Sequence, residues 1–181
     1  PYTLSPSKQF DALPQPEPVH RLDRRTHGLL LVAKTISARH KLGNLFEERK
    51  IDKKYQCLCV GKVTDGFSDI AINEKYAHSS WRVLSVHQSI FTQWLSHLEV
   101  SITTGRQHQI RQHLYQQGYS VLGDDLYYHT PPLRSKGLFL FATYLHFVHP
   151  FSGEPIEISL STPPKILKRI GYEQRVLQLN N

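Results

Sequence analysis

The stretch His20-Arg21-Leu22-Asp23-Arg24-Arg25-Thr26-His27-Gly28 sets one carboxylate among three arginines, just ahead of an apolar run. Nearby positive charge favours the charged form of a carboxyl group, so Asp23 is expected to be ionised at neutral pH. An ionised carboxylate is a usable nucleophile or base. The competing reading is a salt-bridged loop that anchors the following strand. A second cluster, Thr104-Gly105-Arg106-Gln107-His108-Gln109-Ile110-Arg111, carries two arginines five positions apart, which do not share one tight helical stripe. One can face a site while the other reaches a phosphate or an element beneath. Positive charge at a helix N-terminus opposes the macrodipole, so Arg106 points to an anion nearby, phosphate or carboxylate. A solvated basic helix start is the plainer alternative. The third cluster, GYSVLGDDLYY over residues 118–128, brackets acids and aromatics with glycines and reads by default as a structural turn.

Other chemistries lack their motifs. The 11 histidines include no HExxH, and the pairs His146/His149 and His108/His113 have no carboxylate or cysteine set at a ligand spacing, so no metal is expected. GxGxxG and GxxxxGK[ST] loops are absent, against nucleotide hydrolysis and dinucleotide redox chemistry.

The elements that must position these clusters fit within one domain, since the chain has 181 residues. With 39% hydrophobic residues it can close a core. No apolar run approaches the ~20 residues a membrane helix needs. Net charge is +7 with pI near 9.5, dispersed rather than blocked, which suggests a polyanion partner. Cys57 and Cys59, two apart on an extended strand, are too close for an ordinary structural bridge, which implies a reducing, cytoplasmic compartment. Residues 1–18 read as an extended proline-rich arm and residues 19–181 as the catalytic domain. Along that domain the pattern predicts a buried strand at Gly28–Ala33, a helix from Ile36 to Lys50 capped by Thr35, and a strand at Lys53–Gly61. Further strands are expected around Asp69–Asn73, Trp81–Val86 and Gln93–Thr103. Arg106–Gln117 reads as a helix ended by Gly118. Leu138–Val148 and Glu154–Leu160 form a hairpin, and Lys165–Gly171 a short closing helix. Strands outnumber helices and neighbour one another in sequence. That is an α+β fold around a mixed, largely antiparallel sheet.

In this order and spacing the clusters resemble the RluA-type family of RNA pseudouridine synthases. HRLDRRTHGLLLVAKT is similar to the family's HRLDxxTSGLLL signature, and KKYQCLCVG to its K-x-Y-x-x-x-x-G strand. TGRQHQIRQHL followed by GYSVLGDDLYY is similar to TGRxHQIRxHL and G-x-x-x-GD-x-x-Y, and HPFSGEPIEISLSTPP to the closing hairpin. The match runs from about Val19 to Pro164. The resemblance implies an enzyme that isomerises uridine in transfer or ribosomal RNA without cofactor, as a monomer. It breaks the glycosidic bond, rotates the uracil and rejoins it through carbon 5. Asp23 is then the catalytic carboxylate, Tyr55 the aromatic stacked on the flipped base, and Arg111 the partner of Asp23. Arg21 holds the target nucleotide out, Ile110 packs against its base, and Arg24, Thr26, Arg106 and His108 join the RNA-binding set. A base inside a helix is out of reach, so extrusion costs a few kcal/mol of unstacking that an aromatic face and an arginine offset. Two departures stand out: His27 replaces the family's serine, and the N-terminal strand with its NKPxG-like motif is missing, the arm standing in its place. The competitors are a catalytically inactive RNA-binding protein of the same fold and, from another class, a metal-dependent hydrolase built on Asp23 and the histidines.

Overall fold

The computed structural model describes residues 4–129 and 137–180. In chain order the elements are β1 (Ala12–Pro18), β2 (His27–Gly28), β3 (Val32–Thr35), α1 (Ile36–Glu47), β4 (Asp52–Val60), β5 (Gly66–Ser68) and β6 (Ser79–Ser89). They continue with β7 (Gln93–Ile102), α2 (Gln109–Gln116), β8 (Ser120–Val121), β9 (Leu140–Val148), β10 (Pro155–Ser159) and α3 (Pro164–Leu179). The main sheet runs β10-β9-β4-β7-β6-β5 with every one of these pairs antiparallel; β8 joins β4, and β2 joins β9 in parallel. The mixed, largely antiparallel sheet of an α+β domain is therefore present. Among the described residues no helix is long and apolar enough to cross a membrane.

Strand β4 lies at the centre because both of its faces are apolar, as alternation in KKYQCLCVG requires. On one face Cys57 and Cys59 pack with Leu98, Val100, Ile102, Ile110 and Leu114, joining the sheet to α2. On the other, Leu58 packs with Leu95, Phe139, Phe141 and Ile166 beneath α3. The cysteines are free, buried, and 3.9 Å apart at sulfur. Ser96, the polar interruption in β7, is fully buried; its hydroxyl donates to the Gly61 carbonyl and accepts from the Val63 amide.

Four expectations change. The run Gly28–Ala33 is split between β2 and β3 because Gly28 turns at φ +118° and its neighbour Leu29 bonds back to Ala142. The segment around Asp69–Asn73 is no strand: Asn73 and Glu74 have positive φ, and Ile72 closes a turn on Lys75. Helix α2 starts at Gln109, after His108 in a left-handed conformation, so Arg106 lies on a loop. Helix α3 runs through Gly171 to Leu179, held by fully buried Ile166 and Glu173, the latter paired with Arg169.

The end of the arm is β1, whose Pro18 and Glu17 pair with Val32 and Ala33 of β3. A Cβ at Gly28 would stand 2.1 Å from the Ala142 carbonyl oxygen, closer than real contacts allow. Gly28→Ala must both strain the backbone and push β2 off β9, so a stability loss of at least ~2 kcal/mol is expected in denaturant unfolding.

Candidate active site

Three segments converge on one face of the sheet. Asp23 to Thr26 form a β-turn closed by a 2.8 Å bond from the Thr26 amide to the Asp23 carbonyl. The turn puts Arg24 at an exposed tip and brings Asp23 and Thr26, its two ends, to a cavity of about 150 Å³. Arg21, Tyr55 of β4, Ile102, Arg106, Ile110 and Leu140 line the same space. An apolar cavity of ~150 Å³ accepts benzene, so this one suits a single pyrimidine ring. Its floor is the apolar side of Tyr55, Ile102, Ile110 and Leu140, and Asp23 is its one carboxylate.

Electrostatics tie the parts together. Burial, and next the charge of Asp23, push the Tyr55 hydroxyl up to about 12, so Tyr55 stays a neutral phenol beside a carboxylate. Arg111 feels Asp23 too, but its fork is taken elsewhere. Its Nε and Nη2 donate to the two carboxylate oxygens of Asp124 at 2.7 and 2.6 Å, and both side chains are buried. The resemblance led us to expect the Arg111 ion pair at Asp23. Instead, Asp124 orients the guanidinium while accepting the amides of Leu126 and Tyr127 at 2.9 and 3.0 Å. The Tyr127 ring lies 5.1 Å from the guanidinium, and its hydroxyl meets His108 Nδ1 at 3.2 Å. So the third cluster, read as a plain turn, is the support for Arg111. A further ion pair, Arg25 to Asp125, joins it to the Asp23 turn.

The loop before α2 is fixed by a residue whose role the sequence did not announce. Gln109 is buried, and its Oε1 accepts from the Thr104 hydroxyl at 2.7 Å and the Arg106 amide at 2.9 Å. Its Nε2 donates to the His78 carbonyl at 2.8 Å and the Ser79 hydroxyl at 3.1 Å. Arg106, expected as a phosphate contact, donates from Nε to the Tyr76 carbonyl at 3.0 Å and lines the cavity. His108 and Arg24 lie outside the cavity lining, with His108 joined to Tyr127. At His27 the ring tilts over Phe141 with centroids 6.0 Å apart. Among the described residues no group of three or more His, Cys, Asp or Glu side chains is placed to hold a metal.

An α+β sheet carries a ring-sized cavity lined by the Asp23 carboxylate, the Tyr55 ring and the guanidinium groups of Arg21 and Arg106, with the buried Arg111–Asp124 pair outside its lining. The family model for RNA pseudouridylate synthase matches residues 2–116. The chain is 33% identical to ribosomal large subunit pseudouridine synthase D of Buchnera aphidicola subsp. Schizaphis graminum, over 85% of this chain and 56% of that protein. It is 34% identical to the protein of the same name from Nitrosomonas europaea, over 83% of this chain and 49% of that one. Among solved structures, human RNA Pseudouridylate Synthase Domain Containing 1 superposes with a TM-score of 0.72 at 26% identity, covering 83% of this chain and 70% of that one. The chain belongs to the RNA pseudouridylate synthase family. It spans about half the length of the curated relatives it matches.

A test of the floor follows from Tyr55. Tyr55→Phe keeps the ring and should leave melting temperature and RNA affinity unchanged while lowering turnover if the hydroxyl moves a proton. Tyr55→Leu removes the aromatic face that the resemblance assigns to stacking on the base and is expected to weaken RNA binding by about 1–3 kcal/mol. A large fall in melting temperature for Tyr55→Phe would make the residue a core element instead.

Proposed function

We propose that this protein isomerises uridine to pseudouridine in structured RNA, with ribosomal RNA favoured over transfer RNA by the names its relatives carry. The observation that carries the reading is Asp23 beside Tyr55 in a cavity sized for one pyrimidine, with the buried Arg111 charge within electrostatic reach of Asp23. A flipped uridine enters with its base against Tyr55 and Ile110, and Arg21 at the mouth occupies the space it left. Asp23, acceptor-only and charged, acts on the nucleoside, and Arg111 keeps a positive potential beside it before substrate arrives. The N1–C1′ bond breaks, the uracil turns, and C5 bonds to C1′; the C5 proton leaves and N1 takes one up. No step needs a cofactor.

Free thiols at Cys57 and Cys59 suit a reducing cytoplasm, where ribosomal RNA is met. Mapping new pseudouridines in RNA from cells with and without the gene tests the reading, alongside tritium release from RNA labelled at carbon 5 of uridine. Loss of specific pseudouridines without the gene, and tritium release by the protein, are expected. An unchanged map together with no release would overturn it.

A further inference from the structure

Beside the reaction cavity, sharing Arg21, Tyr55 and Arg106 in its walls, lies a second cavity of about 350 Å³. Lys53 reaches it because it lies two positions before Tyr55 on β4 and so shares that strand's face. Arg49, just after α1, closes the outer side. Four cations, Arg21, Arg49, Lys53 and Arg106, therefore face one hollow against a single carboxylate, Glu47. Among the described residues none of the four forms an ion pair, and what sets them apart from other unpaired cations is that all four line the same hollow. The wall behind them is built, not loose: Phe46 stacks on His20 at 4.5 Å, and Lys53 Nζ lies 5.8 Å from the Phe46 ring. His20 Nε2 accepts the Leu31 amide at 2.9 Å, which leaves Nδ1 as the ring's donor. Burial and then the charge of Arg49 hold the Lys53 ammonium below its ordinary value. Like charges gathered in a half-buried hollow repel one another, and an arriving anion relieves that cost.

We propose that this second cavity seats the backbone phosphate of a nucleotide adjoining the flipped uridine, with Lys53 and Arg49 as its principal contacts. The lining is dominated by charged donors, the groups that make phosphate contacts, and such contacts position the strand without carrying sequence information. The assignment rests on the RNA-substrate reading above, and the test separates the two.

The probe is an RNA hairpin with a seven-uridine loop, titrated by fluorescence anisotropy across a salt series. For single-stranded RNA each lost phosphate contact should flatten the log–log salt slope by about 0.7. Lys53→Gln and Arg49→Gln should each do so, and the pair together by about 1.4. Lys53→Arg should keep the parental slope. Glu47→Gln, which removes an exposed repulsive charge, should tighten binding about twofold. A double variant with the parental slope, or one that weakens binding equally at every salt concentration, overturns the subsite and leaves the enzyme reading standing. If Lys53→Gln fails to fold, absence of tightening in Glu47→Gln overturns it instead. A parent protein that binds no RNA at low salt sinks the RNA reading and the subsite with it.

Discussion

Asp23→Ala and Asp23→Asn are expected to bind RNA as the parent does and to release essentially no tritium from carbon-5-labelled uridine RNA. Among the described residues Asp23 is the only carboxylate lining the reaction cavity, so no neighbour there can take over its part. Removing a positioned acid–base or nucleophilic group costs about 10²–10⁴-fold in rate. Binding should survive because phosphate contacts carry most affinity for nucleic acid, and a carboxylate contributes none of them. Asp23→Asn also removes a negative charge, so affinity for a polyanion should hold or rise slightly. Among the described residues the side chain has no hydrogen-bond partner, and the turn is closed by its backbone carbonyl. Melting temperature should therefore stay near the parental value. Single-turnover kinetics on the same RNA would decide the matter: more than a tenth of parental turnover in Asp23→Ala would remove Asp23 from the chemistry.

Most of the sheet was legible because its signals are local. Alternation in KKYQCLCVG fixed β4 to within a residue, and the turn formers of HPFSG marked the hairpin of β9 and β10. Thr35 accepts the Ala38 amide at 3.1 Å, as a capping residue before an apolar-faced helix should. What escaped were contacts made across long sequence distances. Nothing local tells that Asp124, rather than Asp23, takes the fork of Arg111, thirteen residues away across a loop. Gln109 carries no local signal, yet it closes four hydrogen bonds to two segments, residues 104–106 and 78–79. Lys53 had a signal that alternation could have exposed, since a lysine on the same strand face as Tyr55 must share its surroundings. The early start given to α2 failed for a conformational reason: His108 adopts φ 54°, which no periodicity reveals.

The Arg111–Asp124 pair should separate folding from chemistry. Both side chains are buried, and the carboxylate is saturated by the guanidinium fork and two amides. Asp124→Ala leaves a buried guanidinium without its partner, and breaking such a pair costs about 3–5 kcal/mol. Arg111→Lys keeps charge but loses the planar fork, so it should lower stability less and turnover strongly, with RNA affinity little changed. The pair also predicts an acid limb. Burial raises the Asp124 carboxyl, yet the Arg111 bond and the Tyr127 and Leu126 amides outweigh it and hold the group below 3.8. A carboxyl depressed on folding adds stability that is fully present above its unfolded value and lost as pH falls through the lower native one. The parent should thus lose stability steadily below about pH 4, and Asp124→Asn, with nothing to titrate there, should show a flatter acid limb. The double variant Arg111→Met/Asp124→Leu removes both charges at once and should recover much of the stability that Asp124→Ala loses, since apolar replacement of a buried pair is often neutral. It should not recover turnover, because the positive potential beside Asp23 is gone. Denaturant unfolding and single-turnover rates on the parent and the four variants are the measurements. A stable double variant that isomerises at the parental rate would make the pair a folding device alone.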